Sequence, residues 1–151
     1  MAGTECKLDI HKEAWDLGGV MTAEFFDAAG EPCLVIHEDQ DLRVRVTVTL
    51  TGRILHYLCN TSICVAIGFE SCGSGPEFEV HDWKVLNPCA PGGDTYVFDF
   101  RVPGGGLPAG ECGKQYELCI TLGSKDCCGK VGFIFGTCKD INITVLPADV
   151  N

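Results

Sequence analysis

Thiols are the side chains best able to do chemistry in this chain. There are eleven: Cys6, Cys33, Cys59, Cys64, Cys72, Cys89, Cys112, Cys119, Cys127, Cys128 and Cys138. An odd count leaves at least one without an intrachain partner. No Cys-x-x-Cys occurs, so the spacing of a zinc knuckle or a thioredoxin-type site is absent. Three readings compete. Free Cys buried in strands would act as a small hydrophobe. Disulfides would staple loops, as in oxidising compartments, and a bridge across Cys59 and Cys64, or from Cys112 to Cys127 or Cys128, suits their positions. Thiolates converging at turns would make a metal or redox site. For that third reading the candidates are Cys112, Cys119, Cys127 and Cys128, because a hairpin through residues 124–129 would carry Cys119 toward the adjacent Cys127-Cys128 pair.

Other residue types offer less. His11, His37, His56 and His81 are scattered. His81-Asp82 has the order of a carboxylate orienting an imidazole, set against the plainer reading of two solvated neighbours. Nucleophilic catalysis needs a Ser or Cys, a His and an acid together, and no Gly-x-Ser-x-Gly elbow is present. Ser71-Cys72-Gly73-Ser74-Gly75 is glycine-rich, but no helix pattern follows to bind phosphate. The expectation is a protein that is not an enzyme and carries no cofactor. Trp15, Tyr57, Trp83 and Tyr96 could each fill a core or, if exposed, stack on a sugar or anchor a protein. Trp83 lies in the polar run His81-Asp82-Trp83-Lys84 and is expected at the surface. The ligand-binding candidates are Trp83, Tyr57 and His81.

The charge balance narrows the partners. Lys and Arg number 11 against 21 Asp and Glu, a net charge of −10. A nucleic-acid binder needs a basic face, so no nucleic-acid partner is expected, nor attachment to an anionic membrane. No apolar run approaches the length of a transmembrane helix, so no membrane insertion is expected. Glu5, Asp9, Glu13 and Asp16 are foreign to a signal or transit peptide. The chain as written is expected to be cytoplasmic, or extracellular if a leader was removed.

The elements that must position these groups are strands. In residues 41–50, Leu42, Val44, Val46, Val48 and Leu50 alternate with Asp41, Arg43, Arg45, Thr47 and Thr49. A period of two marks a strand with one face buried and one wet. Similar runs occur at residues 5–11, 20–27, 33–36, 64–70, 78–80, 96–102, 116–122, 131–135 and 141–145. In the run from Cys64, small residues Cys64, Ala66 and Gly68 oppose Val65, Ile67 and Phe69, which leaves room for another backbone to approach. Residues 11–17 could make one helical turn, but no longer run has a period of 3.6. Gly, Pro and Asn separate the runs, with connections of varied length. The fold class expected is all-β: a single two-sheet antiparallel sandwich of eight to ten strands, immunoglobulin-like or jelly-roll-like, over residues 1–151.

The C-terminal third adds a resemblance. Gly106-Leu107-Pro108-Ala109-Gly110 is followed by Tyr116-Glu117-Leu118-Cys119-Ile120-Thr121-Leu122, a turn, and Ile141-Asn142-Ile143-Thr144-Val145. This order resembles the last strands of immunoglobulin-like accessory modules, and residues 41–50 resemble their middle strand. The resemblance covers about half the chain and departs from those modules in the cysteine count. It implies a β-sandwich that binds carbohydrate or protein, or acts as a spacer. A non-enzymatic module binding a protein or carbohydrate partner, or assembling as a homo-oligomer, is therefore the leading expectation. The alternative is a cysteine-based metal-binding or redox protein.

Overall fold

The computed structural model describes residues 3–10, 17–71, 77–125 and 131–148. Among them the chain is all-β. Nine strands follow in order: β1 (Gly3–Ile10), β2 (Gly18–Phe26), β3 (Val35–His37), β4 (Leu42–Thr51), β5 (Ser62–Ser71), β6 (Glu77–Val85), β7 (Thr95–Val102), β8 (Lys114–Lys125) and β9 (Val131–Leu146). Trp15, His11 and the helical turn expected near them lie outside the described residues. So do the glycine-rich loop after Ser71 and the turn holding Cys127 and Cys128.

Alternation decides which side chains go inside. On β4 Leu42, Val44, Val46, Val48 and Leu50 are buried. The same period buries Met21, Ala23 and Phe25 on β2, and Tyr96, Phe98, Phe100 and Val102 on β7. These three strands pair antiparallel in the order β2, β4, β7. A second group runs β6, β5, β8, β9, also antiparallel. It contributes Ile63, Val65, Ile67 and Phe69 from β5 and Tyr116, Leu118, Ile120 and Leu122 from β8. The buried residues of both groups form one hydrophobic cluster. Each fully buried Val, Leu or Phe stabilises the fold by ~1.5–3 kcal/mol, an upper estimate because the unfolded chain already hides some apolar surface.

β1 joins the groups by changing partner halfway. Its residues Gly3 to Cys6 pair with β2, and Lys7 to Ile10 pair with β9. β3 pairs with β9 in parallel, so the expected purely antiparallel pairing has one exception.

One further expectation needs correction. Residues 131–135 and 141–145 are one strand, β9. Its inward set changes from Ile134 and Cys138 to Ile141, Ile143 and Val145, from even to odd numbers. The cause is a bulge: Leu118 pairs Ile141 while Ile120 pairs Cys138, so β9 carries one residue more than β8. Asp140 takes the left-handed conformation there, with φ of 61°. Period-two reading breaks wherever a residue is inserted. After Gly52 the chain leaves the extended conformation of β4. Arg53–Tyr57 is a short 3-10 helix, with Leu55 and Leu58 turned into the core.

Candidate functional site

The outward side chains of β6, β5, β8 and β9 make the surface richest in candidate groups. Register fixes which residues share a row. Trp83 faces Cys64, Cys64 faces Gly123, and Gly123 faces Phe135. Strands lie about 4.8 Å apart, so the two aromatic residues stand roughly 14 Å from each other across a floor of a thiol and a glycine. Trp83 is 42% exposed and Phe135 52%. The neighbouring row holds Val85, 58% exposed, Ser62 and Lys125. On the other side lies the row His81, Ala66, Thr121, Thr137. Small residues at Cys64, Ala66, Gly68 and Gly123 keep the middle flat.

Electrostatics differ along this face. At the aromatic end Lys125 places its ammonium 4.7 Å from the Trp83 ring centre, a cation–π contact. At the opposite end Glu70, Glu79 and Glu117 line a shallow groove of about 430 Å³ with Gly68, Phe69, Phe78 and Cys119. Glu70 and Glu117 are directly opposite in the ladder, and like charges so placed repel. Burial raises the Cys64 thiol above its ordinary pKa, and the nearby carboxylates of Asp82 and Glu79 raise it further, against a smaller opposing effect of Lys125. Burial and the two carboxylates thus favour the protonated form of the Cys64 thiol.

The outer face of β4 and β7 is basic, with Arg45 and Arg101 ion-paired. Its groove, about 510 Å³, includes Arg43, Arg45, Asp99 and Arg101. Arg45 Nε donates to Asp99 at 2.8 Å, and Arg101 Nε donates to Asp41 at 2.7 Å.

The candidates from sequence fare unevenly. Trp83 is exposed as expected, on strand β6. Tyr57 is 84% exposed on the 3-10 helix, off the strand face. Tyr96 is a core residue whose hydroxyl accepts from Asn87 N at 2.8 Å and donates to Gly93 O. His81 and Asp82 do not form a polarised pair. Neighbours on a strand point to opposite faces, and Asp82 Oδ1 accepts from the Trp83 amide instead at 2.9 Å.

The thiols depart furthest from expectation. Cys59, Cys89, Cys112 and Cys119 are free and exposed; Cys33 and Cys64 are free and half-buried. None of these six is fully buried, though half-buried Cys33 packs against the hydrophobic core as a small hydrophobe would. Cys138 is buried and disulfide-bonded. The bridge across Cys59 and Cys64 and the one from Cys112 are absent, since all three thiols are free. Cys112 and Cys119 do not converge: β8 is extended between Lys114 and Cys119, about 17 Å at strand rise. The partners expected for them, Cys127 and Cys128, lie outside the described residues. Among the described residues no group of three or more His, Cys, Asp or Glu could hold a metal ion. Two residues were missed, Phe135 and Cys89. Phe135 needed the β8–β9 register, and Cys89 looked like part of a plain Pro/Gly connection.

No family model, no curated protein and no solved structure matches the chain.

Proposed function

We propose that this chain is a non-enzymatic, immunoglobulin-like β-sandwich module that binds a protein partner through the outer face of β6, β5, β8 and β9. The observation that carries the reading is the row Trp83, Cys64, Gly123, Phe135, with two exposed aromatic residues on either side of a floor of small ones. Sandwich packing is supported by the single hydrophobic cluster drawn from both strand groups. Lys84 of β6 also lies with its ammonium 5.6 Å from the Phe98 ring centre on β7. The immunoglobulin-like reading is supported by Tyr116. Its hydroxyl donates to Pro108 O at 2.6 Å, eight residues upstream, the arrangement of a tyrosine corner.

A protein fits better than a carbohydrate. A sugar ring stacks on the open face of an aromatic ring, and Lys125 already occupies the Trp83 face. A flat floor with aromatic residues at its borders suits another protein surface, where Trp anchors concentrate binding energy. The test is affinity capture with the wild-type chain, followed by titration of each captured partner against Trp83→Ala, Phe135→Ala and the control Val97→Ala, which changes the opposite face. Loss of an anchor is expected to weaken binding by ~2 kcal/mol or more, about thirty-fold. Full affinity in both aromatic variants would remove this face from the account.

A further inference from the structure

Two cysteines far apart in sequence lie at the same end of the β5–β6 pair. The ladder there continues one step past the strands, with Leu86 N donating to Thr61 O at 2.8 Å. Cys59 lies two residues before Thr61, and Cys89 three residues after Leu86. Asn60, left-handed at φ 67°, turns the chain between the 3-10 helix and β5. On the other side Ala90 N donates to Asn87 O at 3.1 Å, closing a turn around Cys89. Both thiols are free and exposed; Cys59 Sγ donates to His56 O at 3.7 Å, and Cys89 is near enough to act on the Cys59 thiol electrostatically.

We infer that Cys59 and Cys89 form a reversible dithiol–disulfide site, oxidised by low-molecular-weight disulfides such as oxidised glutathione. One thiolate attacks a sulfur of the small disulfide and expels the first small thiolate, leaving a mixed disulfide on the protein. The neighbouring thiolate then attacks the protein-bound sulfur and expels the second. Two electrons pass from the dithiol to the small disulfide, two protons leave the cysteines, and two small thiols are released. Reduction reverses each step. Incomplete solvation raises the Cys59 thiol above its usual pKa, and the nearby Cys89 sulfur raises it further. Two neighbouring thiolates repel each other, which has that effect. Both positions face solvent, so a small disulfide reaches them without unfolding. The bond would close a loop containing β5 and β6 and tie the connection carrying Tyr57 to the one leading into β7.

The experiment treats the full chain with graded ratios of reduced and oxidised glutathione under anaerobic conditions. Free thiols are blocked, and trypsin then cuts at Arg53, Lys84 and Arg101, which separates Cys59 from Cys89. The expected result is a disulfide-linked pair of peptides 54–84 and 85–101, absent in Cys59→Ser and in Cys89→Ser but present in Cys64→Ser and Cys72→Ser. Oxidation should raise Tm by about 5–10 °C in the wild-type chain and not in Cys89→Ser. Separate glutathione adducts on Cys59 and Cys89 with no linked peptide would overturn the inference. So would a linked peptide that survives Cys59→Ser, which would assign the bond to another cysteine.

Discussion

Asp41 holds two groups at once: Oδ2 accepts from Arg101 Nε at 2.7 Å and Oδ1 accepts from the Gly104 amide at 2.8 Å. The Arg101 hydrogen bond, then the Gly104 hydrogen bond, depress its pKa below the ordinary 3.8. Arg101 also sits directly opposite Arg43, so Asp41 offsets a like-charge pair. A carboxylate with a lowered folded pKa contributes stability that is complete above its unfolded value and is lost as pH falls through the folded one. Asp41→Asn should therefore lower Tm slightly at pH 7 and flatten the decline of Tm below about pH 4, as followed by thermal melts across pH. Because Asp41 faces solvent, added salt should shrink the difference. Ser124 acts in the interior. Its Oγ accepts from Ile134 N at 3.1 Å and donates to Ile134 O at 3.3 Å, where the β8–β9 register shifts. Ser124→Ala would leave that amide without a partner, at an expected cost of ~1–3 kcal/mol in denaturant unfolding.

At the scale of elements the bulge in β9 and the alternation of β7 can be tested separately. Asp140 occupies a conformation that disfavours a β-branched side chain. Asp140→Val should cost ~1–2 kcal/mol, whereas Asp140→Gly should be tolerated, since glycine adopts this backbone without the Cβ penalty. If both variants unfold at the same denaturant concentration, the left-handed residue is not what holds the bulge. On β7, Phe98 is fully buried and its neighbour Val97 is exposed. Phe98→Ala should cost ~3–5 kcal/mol, and Val97→Ala within about 0.5 kcal/mol. The same calorimetric scan measures both.

For the whole molecule, one hydrogen-bonded path runs from β6 through β5, β8, β9, β1, β2 and β4 to β7. β6 and β7 end this path, and such ends invite pairing with other chains. β6 carries Glu79, His81, Asp82 and Lys84, charges that discourage unspecific pairing. Among the described residues, Cys138 is disulfide-bonded. Reduction of that bond should lower stability by ~2–5 kcal/mol, seen as a drop in Tm with reductant. Cys138→Ala should remove the effect of reductant while keeping the lower Tm.

Sequence alone determined that this chain is made of strands and which side of most strands faces inward. Residues 41–50 alternate because a pleated strand sends successive side chains to opposite faces, so local order carries the signal. The same logic located the buried face of β7 and of most of β8. It failed where a single residue intervenes: the insertion at Asp140 shifted the parity of β9 and made one strand look like two. Tertiary structure decided which strands are neighbours and in what register. Only that register puts Trp83 in a row with Phe135, and only the continued β5–β6 ladder brings Cys59 near Cys89. Each pair is separated in sequence by a stretch long enough that local spacing says nothing about distance. Adjacency between distant residues is set by hydrogen bonds between strands, and no periodicity within one strand records it.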